Sequence, residues 1–374
     1  MPPSVDTSVD AARTSACATG GDLNEEFEGV SMKPGTDRAI HRPFLMAGGG
    51  TGGHVIPALA VGKELRRRGH EVFFVGTDHG MEARLVPAEG FELKRIDIGA
   101  LNRVSLRQKV ATLFRLPFTT LACRKFVRQT AAVFSMGGYV AGPPVMAALV
   151  GGVPVVVMEP NAMPGFTNRV IGRFVARALI SFPETAAHFP AGRTETTGLP
   201  VREEFFRIPP RPAGGVLNIL ITGGSQGSRT LNRAARESWP LFRGAPYRVR
   251  IVHQSGPSGL ADLQNAFAQA DVVVARSGAG AVSELAAAGR PSILVPFPFA
   301  ADDHQTRNAE ALERGGAARL VRDADMNGER LFAAVSELYG APGVLDGMAA
   351  RARRFAHPGS ARRAADILEE VARA

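Results

Sequence analysis

The chain predicts an α/β fold made of two Rossmann-like domains that face each other across a cleft. Three observations carry this. A strand, a glycine-rich turn and a helix follow one another from Pro43, and the same theme returns at Val216. A third junction of the same kind lies at Val272–Leu285, where a valine run passes through Arg276-Ser277-Gly278 into a helical pattern. Between the first two, RIPPRPAGG (Arg207–Gly215) is the Pro/Gly-rich punctuation that separates domains. A length of 374 residues leaves each half enough chain for its own core. The expected division is a disordered, small and polar tail over 1–42, a first domain over 43–208 and a second over 209–374. The last helix of the second is expected to pack back on the first.

In the first half, Pro43–Ala47 reads as a strand that ends in GGGTGGHVIPALA. Gly48, Gly50 and Gly53 satisfy G-x-G-x-x-G, a turn that lets backbone approach a phosphate or sugar. Thr51, Gly52 and Gly53 lead to His54, which stands at the mouth of the helix as a candidate base or as a simple turn cap. Strands follow at Glu71–Gly76 and near Phe91–Ile98. Ala131–Met136 is a buried strand ending in GGYVAGP, where Tyr139 offers a hydroxyl. Val153–Met158 is another, and it delivers Glu159 and Asn161 to a strand's carboxyl end, where ligands of open α/β sheets bind. Arg177–Ser181 reads as the next strand, and Arg202 follows in GLPVR.

Charge is distributed unevenly. The net charge is +9, which favours a partner carrying negative charge. From Gly99 to Met158 there is no Asp or Glu. Within that interval Leu, Val and Phe alternate with Arg103, Arg107, Lys109, Arg115, Arg124, Lys125 and Arg128. Pro117 is expected to divide this segment into two short helices. The mixture describes a surface that rests on an anionic membrane, or an ordinary helix pair with an Arg-rich polar face. A nucleic-acid surface is not expected, because the chain has 3 Tyr and 1 Trp and shows no nucleic-acid motif. Pro143–Met158 is apolar, but Gly151-Gly152 and Pro154 split it into a helix end and a strand, so it does not span a bilayer. No secretory signal is expected. Cys17 and Cys123 lack metal or CxxC spacing and read as free thiols in a reducing compartment.

In the second half, Val216–Thr222 is a strand that enters GGSQGSRTLN, where Ser225 and neighbouring N–H groups suit a phosphate. Arg248–His253 continues the sheet. The helix after Ser277-Gly278 opens with Ala279, Gly280, Ala281, Val282, Ser283 and Glu284. Its N-terminus offers main-chain donors and the positive end of a dipole, and Glu284 is one turn in, placed to accept from ribose hydroxyls. A strand at Pro291–Pro296 leads to a polar loop with Asp302, Asp303, His304 and Gln305, side chains suited to sugar hydroxyls. Three helices close the chain, near Asn327–Tyr339, Pro342–Phe355 and Ser360–Ala372. Asp323-Ala324-Asp325 is expected to cap the first of these and not to hold a metal.

Taken together, GGGTGGHVIPALA, SMGGYVAGPP, EPNAMPGFTNR, TGGSQGSRTLN and RSGAGAVSELAAAGRPSILVPFPFAADDHQTRNA resemble the MurG family, over roughly Pro43 to Glu369. The resemblance implies a GT-B glycosyltransferase fold, with the acceptor in the first domain and the UDP-sugar mainly in the second. It implies inverting transfer, without a metal or other cofactor, of GlcNAc from UDP-GlcNAc to the 4-hydroxyl of the muramoyl sugar of lipid I, giving lipid II. It also implies a peripheral place on the cytoplasmic face of the inner membrane, cell-wall synthesis proteins as partners, and roles in cell shape and division. Carried over by motif, Thr51, Gly52 and Gly53 touch the UDP-sugar with His54 beside them. Asn161 contacts the GlcNAc, with Glu159 as its polar neighbour. Arg202 and Ser225 meet the diphosphate, Ala279 to Glu284 wrap the nucleotide, and Gln305 holds the sugar. His54 and Glu159 are the catalytic candidates.

One interval departs from the family pattern. Between HQSG and the valine strand only Pro257–Gln269 is present, so a strand and the turn that meets the uracil are expected to be absent or rebuilt. That gap motivates an alternative, a shortened homologue that binds lipid or partners without efficient transfer. An NAD-dependent oxidoreductase, suggested by the glycine pattern alone, is disfavoured by the doubled glycine-rich turn.

Overall fold

The computed structural model describes residues 40–98, 106–211, 214–224, 227–256 and 262–374, and for 106–113 the backbone alone. Outside the described residues lie Cys17 and the rest of the expected tail to residue 39, Arg103, Ser225, and Pro257–Ala261 of the short interval; the side chains of Arg107 and Lys109 are likewise outside.

The first sheet holds β1 (Phe44–Gly48), β2 (Val72–Gly76), β3 (Glu92–Arg95), β4 (Ala132–Gly137), β5 (Val155–Glu159), β6 (Arg177–Ile180) and β7 (Thr194–Thr196). Its order is β3-β2-β1-β4-β5-β6-β7, and every pairing is parallel. Its helices are α1 (Gly52–Arg67), α2 (Glu82–Ala88), α3 (Leu106–Val127), α4 (Gly142–Gly151) and α5 (Phe166–Ile171), and the short α6 (Glu203–Phe206) follows it. The second sheet comprises β8 (Val216–Thr222), β9 (Arg248–Gln254), β10 (Val272–Ala275), β11 (Ser292–Leu294) and β12 (Ala318–Leu320), in the order β12-β11-β10-β8-β9, again all parallel. Helices α7 (Arg229–Arg243), α8 (Leu263–Gln269), α9 (Ala279–Ala288), α10 (His304–Arg314), α11 (Gly328–Gly340), α12 (Val344–Ala352) and α13 (Ser360–Arg373) complete it.

These sheets form because their central strands are buried on both faces. β1, β4, β5 and β10 are buried at every position, which explains their unbroken apolar runs. Both sheets switch direction beside their first strand, β1 and β8. Ligand crevices of doubly wound sheets lie at the carboxyl ends of strands at this point. Residues Ile40–Ala374 make one compact unit. Within it, α13 crosses back: Ala364, Ala365, Ile367 and Leu368 join Phe44, Met46 and Phe134 in the first core.

Some expectations are corrected. α3 runs unbroken through Pro117. The proline lies on the exposed side, so the carbonyl it frees can turn to water, while the Thr119 hydroxyl donates to the carbonyls of Arg115 and Asp97. The tail is expected to reach residue 42, yet Ile40 already packs on the first core. Asn327, not the preceding aspartates, caps α11 by accepting from Arg330 N. Asp323 instead pairs with Arg276 and accepts from Thr230. Cys123 is buried and free, and burial pushes its thiol up to about 12.

Candidate active site

The site is assembled from strand ends. β1 ends at Gly48 and the chain turns through Gly49-Gly50, with Gly50 at φ +85°. α1 then starts at Gly52 behind Thr51, which makes no side-chain cap. The first N–H groups of a helix have no partner within it, so Gly52 and Gly53 bring donors and positive dipole to the β1 end, while the His54 N–H donates back to the Thr51 carbonyl at 3.1 Å. The His54 ring lies against the 137–138 turn that follows β4: a Cβ on Gly138 would sit 3.3 Å from its Cε1 and Nδ1. Its Nδ1 is 3.3 Å from the Gly49 carbonyl oxygen. Burial lowers the imidazole pKa, the Gly49 carbonyl opposes that, and His304 across the cleft lowers it further. The ring is therefore neutral near pH 7.

Beneath the same turn lies a carboxylate that the sequence pattern does not mark. Glu82, at the start of α2, has no exposed surface. It accepts from Gly50 N at 2.7 Å, Thr77 N at 3.0 Å and Thr77 Oγ1 at 2.8 Å. Tyr139 packs its ring against Gly50.

At the end of β5, Glu159 is enclosed and fully engaged. One oxygen accepts from the backbone and side-chain nitrogens of Asn161, the other from Gly165 N and Asn168 Nδ2. Burial raises its pKa against these donors. Its visible work is to hold the EPN turn. Asn161 is thereby aimed at the second half, where its Oδ1 accepts from Asn308 Nδ2 at 3.0 Å.

Asn308 is the second residue that motif reading misses. Fully buried in α10, it accepts from Ala162 N at 2.9 Å and donates to the carbonyl of Ser277 at 3.1 Å. One amide thus ties the EPN turn to the junction that opens α9. Its only sequence signal is Asn at that place in a helix pattern, which marks nothing by itself.

The α9 N-terminus faces the first half. Ala279 packs on the first core, and Glu284 Oε1 meets Arg202 Nη2 at 3.5 Å. Burial raises the Glu284 pKa, and Arg202 opposes the shift. Arg202 also lies over the Phe205 ring, 4.8 Å from its centroid. Val282 is buried, whereas Gly280, Ala281 and Ser283 are partly exposed. Gln305 Oε1 accepts from Phe297 N at 3.0 Å, and Ser277 Oγ donates to the Gln305 carbonyl at 2.8 Å. Asp302 and Asp303 both take left-handed φ, 50° and 51°, in the loop entering α10; Asp302 pairs with Arg169 of the first half at 3.1 Å. His54, Thr51, Gly52, Gly53, Glu159 and Asn161 thus come from one side, and Ala279–Glu284 and Gln305 from the other, with Arg202 reaching across. Ser225 is outside the described residues.

Family models match both halves: the glycosyltransferase family 28 N-terminal domain over residues 44–180 and its C-terminal domain over 218–368. A Solibacter usitatus (strain Ellin6076) protein named UDP-N-acetylglucosamine--N-acetylmuramyl-(pentapeptide) pyrophosphoryl-undecaprenol N-acetylglucosamine transferase is 71% identical over 350 residues, 88% of this chain and 96% of the relative. An Azotobacter vinelandii protein of the same name is 40% identical, covering 88% of this chain and 98% of its own. The crystal structure of Acinetobacter baumannii MurG superposes with a TM-score of 0.73 at 32% identity, covering 88% of this chain and 99% of that one. The chain belongs to the MurG family. Its two parallel sheets, each with helices, are the GT-B architecture, and the MurG-family assignment covers every motif described above.

The 350 aligned residues exceed what 88% of a 374-residue chain supplies, so the Solibacter relative carries residues that this chain lacks. The two sheets are unequal. In the first, β3 lies outside β2; in the second, nothing among the described residues pairs outside β9.

Proposed function

We propose that this chain is an inverting glycosyltransferase of peptidoglycan synthesis. It moves GlcNAc from UDP-GlcNAc to the 4-hydroxyl of the muramoyl sugar of lipid I, forming lipid II and UDP. The observation that carries the proposal is the MurG-family match over both halves, in a chain whose α9 opens with Ala279 packed on the core that also holds Val55 and Ala58 of α1.

In this mechanism the acceptor oxygen attacks the anomeric carbon from the face opposite the diphosphate. The new C–O bond forms as the bond to the diphosphate breaks, and the hydroxyl proton passes to His54. Charge growing on the leaving group is met by main-chain N–H groups of Ala279, Gly280 and Ala281, by the α9 dipole and by Arg202. Thr51, Gly52 and Gly53 approach the UDP-sugar from the other side. Glu284 accepts from ribose hydroxyls as Arg202 moves to the diphosphate, and Val282 and Ser283 shape the nucleotide's bed. Asn161 retains an N–H for the sugar, and Gln305 lies beside it. Glu159 serves by fixing Asn161. Ser225 belongs to the diphosphate set by its motif.

Membrane docking by α3 and its neighbours is part of the same proposal. Phe114, Phe118 and Leu121 recur at helical spacing and are 74%, 75% and 63% exposed, so this stripe does not serve the core. On α4, which packs against α3, Met146 and Val150 also face outward. Arg115, Lys125 and Arg128 supply positive charge nearby. Among the described residues no helix is long and apolar enough to cross a membrane, and a peripheral position on the cytoplasmic face, where lipid I presents its sugar, fits this surface. Cell-wall synthesis proteins acting on the same lipid are the expected partners.

Transfer of radiolabelled GlcNAc from UDP-GlcNAc to a lipid I analogue tests the reaction, and no labelled product would refute it. Replacing His54 by Ala should lower turnover by about 10²–10⁴-fold. Phe114, Phe118 and Leu121 changed together to Ser should release the protein from phosphatidylglycerol vesicles; unchanged binding would remove α3 from the docking surface.

A further inference from the structure

We propose that Glu82 is a positioning residue for His54 and acts on it through the single peptide bond between Gly49 and Gly50. The proposal rests on His54 being the base. The N–H of that peptide, on Gly50, donates to Glu82 Oε2 at 2.7 Å. Its C=O, on Gly49, is 3.3 Å from His54 Nδ1. In a trans peptide these two groups lie in one rigid plane and point in opposite directions within it. Carboxylate, peptide and imidazole therefore form one hydrogen-bonded line.

The chemistry of each group sets its direction. A carbonyl only accepts, so Nδ1 must carry a proton and Nε2 keeps the lone pair. When Nε2 takes the acceptor's proton, the imidazolium's charge is shared with Nδ1–H. A carboxylate pulling on the peptide N–H polarises the amide and makes its carbonyl a better acceptor. The Glu82 charge thus reaches the base without touching it.

The carboxylate's berth is built for this. Cβ atoms on Gly49, Gly76 or Gly80 would collide with the Glu82 side chain. All three of its hydrogen-bond donors are neutral, and two belong to Thr77. The other groups around His54 are accounted for: burial and His304 oppose its protonation, and the Gly49 carbonyl and Glu82 favour it. Tyr139, packed on Gly50, has its pKa raised by burial and stays neutral near pH 7.

The variant Glu82→Gln keeps the shape and removes the charge. It should lower kcat by about 10-fold to 100-fold, leave KM for UDP-GlcNAc little changed, and move the acid limb of the kcat/KM profile to lower pH. A fall in kcat with an unmoved acid limb would mean that Glu82 only braces the turn, and would overturn the proposal. Nitrogen-15 NMR of histidine-labelled full-length protein gives a readout that needs no variant to fold. Neutral His54 should be the Nδ1–H tautomer; the Nε2–H tautomer would overturn the line of hydrogen bonds. His54→Ala separates the two readings. Near-normal turnover in that variant sinks the base itself. Lost turnover there, with an unmoved acid limb in Glu82→Gln, sinks the role of Glu82 alone.

Discussion

Gly138 holds φ at +79°, and a methyl group on it would press against the His54 ring. Gly138→Ala should therefore cost stability, about 1–2 kcal/mol for the left-handed backbone, and also push the ring off its place. Turnover should fall further than the urea midpoint suggests, and unchanged kcat would show that the ring has room to yield. The pH dependence follows from the same ring. Burial holds the His54 pKa below its ordinary 6.5. The base must be unprotonated, so kcat/KM should be flat through neutrality and decline only as pH drops through that lowered value. Stability moves the same way, because below 6.5 the unfolded chain takes the proton first. An acid limb at or above 6.5 would contradict the buried placement. The places of residues inside motifs, such as His54, Asn161 and Glu284, are legible because a glycine turn or a strand end announces them. That of Glu82 is not: its partner Gly50 is 32 positions away, and no periodicity joins them. The place of Glu159 at a strand end is legible too, but not the four donors that occupy it, which come from residues up to nine positions on.

At the scale of elements, the joint between the halves turns on α10. Asn308 bonds to Ala162, Asn161 and Ser277, and Thr185 adds its hydroxyl to the carbonyls of Asn161 and Ala162. Asn308→Ala would leave a buried N–H and two carbonyl-type acceptors unpaired. Stability should fall by at least about 2 kcal/mol, measured by urea unfolding, and affinity for UDP-GlcNAc should weaken as the α9 junction loosens. A shift under half of that would mean water replaces the amide. Elements with buried apolar runs were readable from sequence, β1, β5, β8 and β10 among them. β7 (TET) and β12 (ARL) were not, for they are three-residue edge strands without an apolar run. α3 continues through Pro117 because an exposed proline breaks one hydrogen bond without ending a helix that packs along α4. β9 is the last strand of its sheet among the described residues. It is an edge strand, and Arg248 and Arg250, both exposed, put charge on that edge, which discourages pairing with other chains.

For the whole molecule, the last helix decides whether the halves are independent. Ile367 and Leu368 of α13 are fully buried among Phe44, Met46 and the inner face of α1. Around them Arg68 pairs with Asp366 at 2.7 Å, His70 with Glu369 at 2.9 Å and Arg363 with Glu195 at 2.6 Å. The two arginine pairs are at least partly exposed and contribute little, and the His70–Glu369 contact is a hydrogen bond. The two apolar side chains are another matter, at about 1.5–3 kcal/mol each, against a typical total of about 5–15 kcal/mol for a native protein. A first half cut after residue 208 would lose this face and expose β1 beneath it. It should unfold without a cooperative urea transition, and joining residues 356–374 to it through a flexible linker should restore one. If the cut half melted sharply by itself, α13 would be a passive strap. If only the joined version does so, the end of the chain completes the first core, and the two halves fold as one unit.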